Sequence, residues 1–262
     1  MRPFLRWAGG KRWLAKNAII PSVKHARLVE PFLGGGALFF AIEWERALIS
    51  DVNHFLINAY RFLKSFPLEL FVLVEAHFDN HSKDHYYSVR DRMGSATLQD
   101  AADFIYLNRA CFNGLFRVNL KGRFNVPLGT KVYELRDCHE FQKWSQKLGK
   151  AEIRLADFEE TISACGAGDV IFADPPYTVN HNSNGFIEYN EKIFSWDDQV
   201  RLHECLRRAV ERGAQFVVTN ADHHTLRELY EGCRIQTVER GSEMAGRTSA
   251  RGKITEIVIT AN

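Results

Sequence analysis

The sequence RLVEPFLGGGALFFAIEWERALISD, residues 27–51, alternates apolar runs with a glycine-rich turn and a helical pattern. Residues 27–32 are predicted as a short buried strand and residues 47–50 as a second strand. Between them, the turn at residues 34–36 opens a helix that we expect to end near Glu45. A strand, a helix and a strand in this order predict a parallel sheet with right-handed crossovers.

The rest of the chain continues this α/β pattern around a long insertion. Asn53 is placed to cap the helix that follows the second strand. From about residue 58 to 137 the strand signal fades, and helical spacing gives way to a loop rich in Gly, Asn and basic residues. We therefore predict one α/β domain, residues 1–57 and 138–262, interrupted by a mostly helical domain at residues 58–137.

Further elements are predicted on both sides of this loop. The last two predicted strands flank a polar segment too short for a helix, so they are expected to form an antiparallel hairpin at the sheet edge. The predicted strands are residues 152–155, 169–173, 215–219, 234–239 and 253–260, and the predicted helices are residues 66–77, 84–92, 98–111, 158–165, 195–212 and 222–230.

The composition is typical of a globular protein that can bury a full core. The chain has 262 residues, of which 45% are apolar and 25% are charged, and this excludes disordered and collagen-like proteins. The five cysteines are scattered without a CxxC pair, which favours a reducing cytoplasm over a disulfide scaffold or a zinc ribbon. Neither a membrane span nor a metal site is predicted, because no apolar run is long enough and the histidines lack ligand spacing.

The positive charge is concentrated in three segments. The net charge is only +2, yet residues 1–27 carry +7, residues 107–136 carry +5 and residues 234–253 carry +3. A basic face of this kind suits a polyanion such as nucleic acid. Ordinary solvated surface is the alternative interpretation.

The strongest chemical signal is Asp174-Pro175-Pro176-Tyr177, directly after the predicted strand DVIFA. The carboxyl ends of parallel strands are where α/β sheets bind ligands. The Asp174 carboxylate and the Pro175 carbonyl can accept both hydrogens of an exocyclic amino group, while the Tyr177 ring stacks on its heterocycle. Such acceptors localise the nitrogen lone pair and make a weak nucleophile competent. A rigid turn with a helix-capping aspartate is the alternative.

A second signal is the turn Glu30-Pro31-Phe32-Leu33-Gly34-Gly35-Gly36. Its glycines permit close approach of the backbone to a cofactor. Asp51 ends the next predicted strand, where an acid binds ribose hydroxyls in nucleotide-binding folds. The alternative interpretation is that these glycines only allow the turn to pack tightly.

Together, these motifs resemble the DNA adenine methyltransferases of the Dam type. That family has the order WAGGK, glycine turn, recognition insert and DPPY, and here WAGGK is Trp7-Ala8-Gly9-Gly10-Lys11. The insert matches at residues 107–109, 113–119 and 122–129. The resemblance implies a Rossmann-like methyltransferase domain with a mixed, mostly parallel sheet and a DNA-recognition insert. It also implies methyl transfer from S-adenosyl-L-methionine to N6 of a flipped adenine in double-stranded DNA, by a monomer.

The resemblance further implies two sets of site residues. The implied catalytic residues are Asp174, Pro175, Pro176 and Tyr177. The cofactor residues are Trp7, Lys11, Glu30, Phe32, Gly34, Gly36, Asp51, Asp157, Phe158 and Asp174, with Asp51 on the ribose and Asp157 and Phe158 beside the adenine ring. Trp7 and Phe158 would otherwise be core aromatics, and Asp157 a helix cap.

For DNA, Leu115 and Arg117 match the family positions that read base edges in members specific for GATC. A guanidinium reads guanine bidentately, although Arg117 would also suit phosphate. The implied DNA-binding residues are Arg109, Asn113, Leu115, Arg117, Asn119, Lys121, Arg123, Pro127, Arg247 and Arg251, with Arg109, Lys121 and Arg123 assigned to phosphates. We expect a short palindromic site that contains adenine, with GATC as the leading candidate. Leu128 and Phe116 depart from the common family pattern, so the exact recognition sequence stays open.

Three other classes remain open. A cytosine-amino or RNA methyltransferase would use the same proline motif. A non-catalytic DNA-binding module would not need Lys11, Asp51 and Asp174 intact. A nicotinamide-dependent dehydrogenase would share the glycine turn but would not need residues 174–177, and cofactor binding would identify it. A role in the host, in a virus or in restriction–modification is equally open.

Overall fold

The structure, a computed structural model, describes residues 1–16, 25–177, 194–241 and 253–261. The predicted DNA-binding residues Arg247 and Arg251 lie outside the described residues, as does most of the basic segment around them.

Seven strands form one mixed sheet in the order β3-β2-β1-β4-β5-β7-β6. β1 is parallel to β4, and β4 is parallel to β5. β7 is antiparallel to both β5 and β6. The strands are β1 (Arg27–Glu30), β2 (Arg46–Asp51), β3 (Ala151–Leu155), β4 (Asp169–Ala173), β5 (Gln215–Ala221), β6 (Arg234–Gly241) and β7 (Lys253–Thr260). This arrangement confirms the predicted α/β class and the antiparallel strands at one sheet edge.

The helices mostly follow the predicted pattern. They are α1 (Ala37–Ala41), α2 (His54–Ser65), α3 (Pro67–Asp79), α4 (Lys83–Arg92), α5 (Leu98–Ala110), α6 (Cys138–Gly149), α7 (Phe158–Ser163), α8 (Trp196–Glu211) and α9 (His224–Leu229), with short 3₁₀ turns at Arg12–Lys16 and Phe112–Gly114. Asn53 caps α2 as predicted, because its side chain accepts a hydrogen bond from the Leu56 N–H. None of the helices in the described ranges has both the length and the apolar character that crossing a bilayer requires.

Helix α1 is shorter than the sequence indicates. The predicted end near Glu45 is wrong, since the helix stops at Ala41 and Ile42 is already extended. The Ile42 carbonyl accepts a 2.6 Å hydrogen bond from Lys147 Nζ, a residue far away in sequence. This contact replaces the helical partner of the carbonyl, and local sequence does not reveal it.

Helix α6 was not assigned from the sequence. It begins at an N-cap, Asp137, whose side chain accepts from the His139 N–H. Phe141, Trp144 and Leu148 form its buried face. Their i, i+3, i+7 spacing is the signal that identifies an amphipathic helix.

The chain divides into two compact units. The first unit comprises Met1–Ile19, Leu33–Glu43 and Ile49–Leu155. The second unit comprises Ile20–Phe32, Trp44–Leu48 and Ala156–Asn262. The boundaries predicted for the recognition domain, residues 58–137, fall inside the first unit and stay a prediction.

Each unit has its own packing. In the first, α5 packs against α2, α3 and α4, and α6 packs against α2 and α3. In the second, buried residues of β1, β4, β5 and β7 pack with those of α7 and α8, including Val29, Ile171, Ala173, Phe158, Leu202, Leu206, Val218, Ile257 and Ile259. This core holds the carboxyl ends of β1 and β4 in place.

Candidate active site

Asp174 stands at the carboxyl end of a fully buried strand. All five residues of β4 are buried, and Asp174, the next residue, is partly exposed. On the neighbouring parallel strand, Val29 pairs with Ile171, and β1 ends at the buried Glu30. The strand order reverses between β1 and β4, and α/β sheets bind ligands at such a point. Glu30 and Asp174 therefore lie at the end of the sheet where α/β folds commonly bind ligands.

The Asp174 carboxylate is oriented from the adjacent strand. Ala173 pairs with Val218 in the β4–β5 ladder, so Thr219 is the residue beside Asp174. The Thr219 hydroxyl donates a hydrogen bond of 2.6 Å to Asp174 Oδ1. This contact holds an acidic oxygen at the strand end.

The three residues after Asp174 form a stiff segment. Pro175 is buried, while Pro176 and Tyr177 are partly exposed. Tyr177 packs against the hydrophobic core of the second unit. The two prolines lack backbone N–H groups, so this segment offers carbonyl acceptors and an aromatic ring.

Three aromatic rings cluster in the second unit. The ring centroids of Phe32 and Phe158 are 5.3 Å apart in a stacked arrangement, and Phe194 lies 5.5 Å from Phe32 and 5.6 Å from Phe158. Phe158 is buried, and Phe32 is partly exposed. The structure thus brings together two of the predicted cofactor residues.

Asp157 is engaged in an ion-pair network that the sequence did not indicate. It caps α7 by accepting from the Glu159 N–H at 2.9 Å. Arg201 donates to Asp157 at 2.9 and 3.2 Å and to Asp198 at 2.9 Å, and its guanidinium carbon lies 4.2 Å from the Phe158 ring centroid. Burial disfavours the charge on Arg201, but these carboxylates outweigh it and raise its pKa. Arg201 therefore fixes Asp157 and Phe158 together.

In the first unit, the glycine turn packs closely on Trp7 and Tyr60. Gly34 and Gly36 have positive φ angles of 47° and 64°. A Cβ atom on Gly34 would lie 2.8 Å from the Trp7 ring, and one on Gly36 would lie 2.7 Å from the Tyr60 hydroxyl oxygen. Both the backbone conformation and the space therefore require glycine.

Asp51 ties the glycine turn to the end of β2. Its Oδ2 accepts from the Gly34 N–H at 3.0 Å, and its Oδ1 accepts from the Asn53 N–H at 2.9 Å. Burial raises the pKa of Asp51, and backbone hydrogen bonds from Gly34, Asn53 and Val52 oppose that rise. Lys11 is buried, and its Nζ donates to the Gly9 carbonyl at 2.8 Å. Both residues are thus held by the backbone of the motifs in which they stand.

Residues 112–128, here called the arm, form a hairpin in the first unit. Antiparallel bridges join Cys111 to Leu128 and Val118 to Phe124. The Tyr86 hydroxyl donates to the Val126 carbonyl at 2.9 Å and attaches the arm to α4. The Phe116 ring anchors its base by stacking on Trp7 at 5.8 Å and by contacts with the rings of Phe55, Phe104 and Phe124.

The tip of the arm is ordered by Asn119 and exposes cationic side chains. Asn119 Oδ1 accepts from the backbone N–H groups of Lys121 and Arg123 at 2.9 and 3.1 Å. The side chains of Leu120, Lys121 and Arg123 are exposed. Arg117 is exposed as well, and its Nε donates to Asn125 Oδ1 at 2.8 Å. The arm thus presents three basic side chains on a defined backbone.

The other predicted DNA-binding residues differ in exposure. Asn113 and Pro127 are exposed, and Leu115 is partly buried. Arg109 is partly buried, and its guanidinium donates to the carbonyls of Tyr133 at 2.6 Å and Phe4 at 3.4 Å. Burial, with the nearby Arg6, lowers the pKa of Arg109 to about 10. Its contacts are with the protein backbone, while the phosphate role assigned to it stays a prediction.

Comparison with known proteins identifies the class of enzyme that carries this fold and these motifs. Residues 7–244 match the family described as D12 class N6 adenine-specific DNA methyltransferase, and the chain belongs to that family. The enzyme methylates the N6 amino group of adenine in DNA. This finding confirms the resemblance to the Dam type and sets aside the cytosine, RNA, dehydrogenase and non-catalytic alternatives.

Curated relatives match nearly the whole chain. It is 36% identical over 99% of its length to the type II methyltransferase M1.LlaDCHI of Lactococcus lactis subsp. cremoris, of which it covers 95%. It is 35% identical over 96% of its length to the DNA N-6-adenine-methyltransferase of Escherichia phage P1, covering 34% of that protein. It is 32% identical over 98% of its length to the DNA adenine methylase of Vibrio cholerae serotype O1, covering 95%.

Three residues near these groups were not predicted from the sequence: Thr219, Arg201 and Asn125. Thr219 ends an apolar run parallel to β4, so a polar residue at that carboxyl end was the available signal. Asn125 lies inside the matching insert but was given no role. The contact between Arg201 and Asp157 joins residues far apart in sequence, and no local pattern indicates it.

Proposed function

We propose that this adenine methyltransferase acts on GATC in double-stranded DNA and takes its methyl group from S-adenosyl-L-methionine. The observation that carries the proposal is Asp174, held at the carboxyl end of β4 by Thr219 and followed by Pro175, Pro176 and Tyr177. This segment combines the acceptors and the ring that an amino-bearing heterocycle needs.

The residues of each unit fit S-adenosyl-L-methionine. In the first unit, the glycine turn leaves no room for a Cβ atom, and the Asp51 carboxylate already accepts hydrogen bonds from backbone N–H groups. We assign Trp7, Lys11, Gly34 and Gly36 to cofactor contact and Asp51 to the ribose hydroxyls.

The second unit also offers acidic and aromatic groups. Glu30 ends β1, Asp174 directly follows the adjacent parallel strand β4, and Phe32 and Phe158 stack beside Asp157. We assign these five residues to cofactor contact. When bound, S-adenosyl-L-methionine supplies an electrophilic methyl group on a positively charged sulfur.

The chain's own groups activate and orient the target amine. Asp174 and the Pro175 carbonyl accept the two amino hydrogens, which directs the nitrogen lone pair away from the ring. The positive charge that develops on the nitrogen is stabilised by the Asp174 carboxylate. The Tyr177 ring stacks on the adenine, which has to leave the duplex because pairing covers its amino group. No covalent intermediate with the enzyme is required.

The arm supports the assignment of the recognition site. Arg117 is exposed and oriented, and guanine is the base that a guanidinium reads in the major groove. Leu115 is assigned to a base edge, with Asn113, Asn119 and Pro127 as its framework. Lys121 and Arg123 are assigned to phosphates.

The remaining proposals are carried by the family resemblance. We assign Arg109 to a phosphate contact, and Arg247 and Arg251 to DNA contact. We also propose that the enzyme is a monomer that works in the cytoplasm. The names of the relatives include type II methyltransferases and DNA adenine methylases, and both roles use this chemistry.

The test is methyl transfer to short duplexes that contain a single GATC or one substitution at each of its positions. We expect N6-methyladenine, identified by mass spectrometry of the released nucleosides, in the GATC duplex alone. Efficient methylation of a substituted duplex would overturn the GATC assignment. Transfer from S-adenosyl-L-methionine that is equally fast on single strands would overturn the duplex assignment.

A further inference from the structure

The buried hydroxyl of Thr219 contacts the carboxylate of Asp174. The residue is fully buried on β5, yet its hydroxyl donates to the carboxylate of the partly exposed Asp174 at 2.6 Å. That distance falls in the range of charge-assisted hydrogen bonds to a carboxylate, about 2.5–2.7 Å. The contact therefore joins Asp174 to the strand beside it.

The backbone that carries Thr219 is held on both sides. β5 lies between β4 and β7, and Thr219 pairs with Val258 of β7. The next residue, Asn220, is locked on the opposite face, because its amide donates to Gln199 at 3.1 Å and its Oδ1 accepts from the Ala221 N–H. A β-branched side chain on such a strand has few rotamers available. The hydroxyl therefore has a fixed position, and its hydrogen bond orients the Asp174 side chain.

We propose that Thr219 is a positioning residue for methyl transfer, fixing the rotamer of Asp174 and keeping its carboxylate ready to accept the amino hydrogen. A carboxylate has about four lone-pair positions, and the Thr219 hydroxyl occupies one of them. The inference rests on the proposed role of Asp174 as the acceptor. It means that a residue of a second strand, β5, orients the catalytic carboxylate that follows β4.

The test compares Thr219→Ser with Thr219→Ala. Both variants lose the same methyl group, and they differ only in the hydroxyl. Single-turnover rates of methyl transfer are measured at saturating S-adenosyl-L-methionine and GATC duplex across a range of pH. Thr219→Val, which keeps the branched shape, provides a second variant without the hydroxyl, and Thr237→Val removes an exposed hydroxyl on β6 as a control.

We expect Thr219→Ala and Thr219→Val to react about 10-fold or more slowly than Thr219→Ser, the scale of a hydrogen bond to a charged group. The acid limb of their rate profiles should move to higher pH, because a carboxylate that loses a donor binds its proton more tightly. Thr237→Val should behave as the wild type. A merely structural Thr219 would lower the melting temperature without moving the acid limb.

Equal rates and equal acid limbs for the Ser and Ala variants would overturn the role of Thr219. Asp174→Ala, measured in parallel, separates this failure from that of the proposed function. If Asp174→Ala is inactive while Thr219→Ser and Thr219→Ala have equal rates and equal acid limbs, only the positioning role of Thr219 is overturned. If Asp174→Ala is active, the catalytic assignment of Asp174 fails, and that of Thr219 fails with it.

Discussion

The Nε atom of Arg117 donates a 2.8 Å hydrogen bond to Oδ1 of Asn125 on the opposite segment of the arm. The Asn125 N–H in turn donates to the Arg117 carbonyl at 3.1 Å, so each residue holds the other. The side-chain contact uses one of the five guanidinium donors. A guanidinium fixed in this way loses less conformational freedom when it binds a base edge.

This geometry predicts that Arg117 and Asn125 act together in base discrimination. Arg117→Ala should cost about 1–3 kcal/mol of discrimination at one base pair of GATC. Asn125→Ala should lose part of the same discrimination at the same pair, and Asn125→Asp, which keeps an acceptor for Nε, should retain it. The measurement is the methylation rate on each singly substituted duplex.

A double-mutant cycle supplies the control. If Asn125 acts through Arg117, adding Asn125→Ala to Arg117→Ala should change discrimination little, so that the two effects are not additive. Equal loss of rate on matched and mismatched duplexes in Arg117→Ala would mean that Arg117 contacts phosphate and does not read a base.

The role of Asp174 predicts a severe effect from one substitution. Asp174→Ala should lower the single-turnover rate at least about 100-fold, as loss of a preorganised electrostatic group does. Its circular dichroism should match the wild type, because Asp174 is partly exposed and outside the core. Asp137→Ala, which removes the exposed cap of α6, is the control and should keep its rate. An active Asp174→Ala enzyme would contradict the assignment.

Cofactor binding should be visible as thermal stabilisation. S-adenosyl-L-methionine is expected to raise the melting temperature, since a ligand that binds only the native state stabilises it. Asp51→Ala should reduce that shift, whereas Asp84→Ala, on the exposed first turn of α4, should not. A shift with NADH and none with S-adenosyl-L-methionine would argue against the proposed cofactor.

The sequence predicted the sheet well because strand and helix signals in its second half are local. The apolar run at residues 169–173 and the later strands need only their own side chains to be recognised. The predicted end of α1 was wrong because the Ile42 carbonyl accepts a hydrogen bond from Lys147, a residue distant in sequence. The α6 helix was missed although Phe141, Trp144 and Leu148 give a readable periodicity.

Only the parts of the site that lie in contiguous sequence motifs could be predicted. Asp174 and the glycine turn are such motifs, and their residue types indicate their chemistry. The Thr219 contact depends on the register between β4 and β5, which no single segment contains. The Arg201 contacts likewise depend on how α8 packs beside α7. Register and packing, unlike residue type, are properties of the folded chain.

Exposed cations at the tip of the arm predict a salt-dependent DNA affinity. Lys121→Ala and Arg123→Ala should each weaken binding similarly for every sequence and reduce the slope of log Kd against log salt by about 1. Arg207→Ala on α8 should leave the slope unchanged, because that guanidinium pairs with Glu204 and Glu211. Affinities measured at several salt concentrations test this, and unchanged slopes in both arm variants would remove these residues from the phosphate contacts.

Asp103 predicts an acid-dependent stability in the helical part of the first unit. Its buried carboxylate accepts from Arg92 at 2.9 and 3.0 Å and from Gln99 at 2.7 Å, and it lies 2.9 Å from His77 Nε2. Burial alone would raise the pKa of Asp103, but the hydrogen bonds from His77, Arg92 and Gln99 hold that pKa well below its ordinary value of 3.8. The folded protein therefore favours the ionised carboxylate.

The sign of the pH effect follows from that depressed pKa. The stabilisation by Asp103 is complete above the ordinary pKa of 3.8, and it is lost as the pH falls through the lower pKa of the folded state. Asp103→Asn should destabilise the protein by about 3 kcal/mol at neutral pH, the low end for a broken buried pair, because Arg92 is half exposed. It should also flatten the acid decline in the free energy of unfolding, measured by urea denaturation from about pH 6 to about pH 2. Asp91→Asn, an exposed neighbour, should keep the wild-type decline. If Asp103→Asn also kept it, the acid sensitivity would have to arise from other carboxylates.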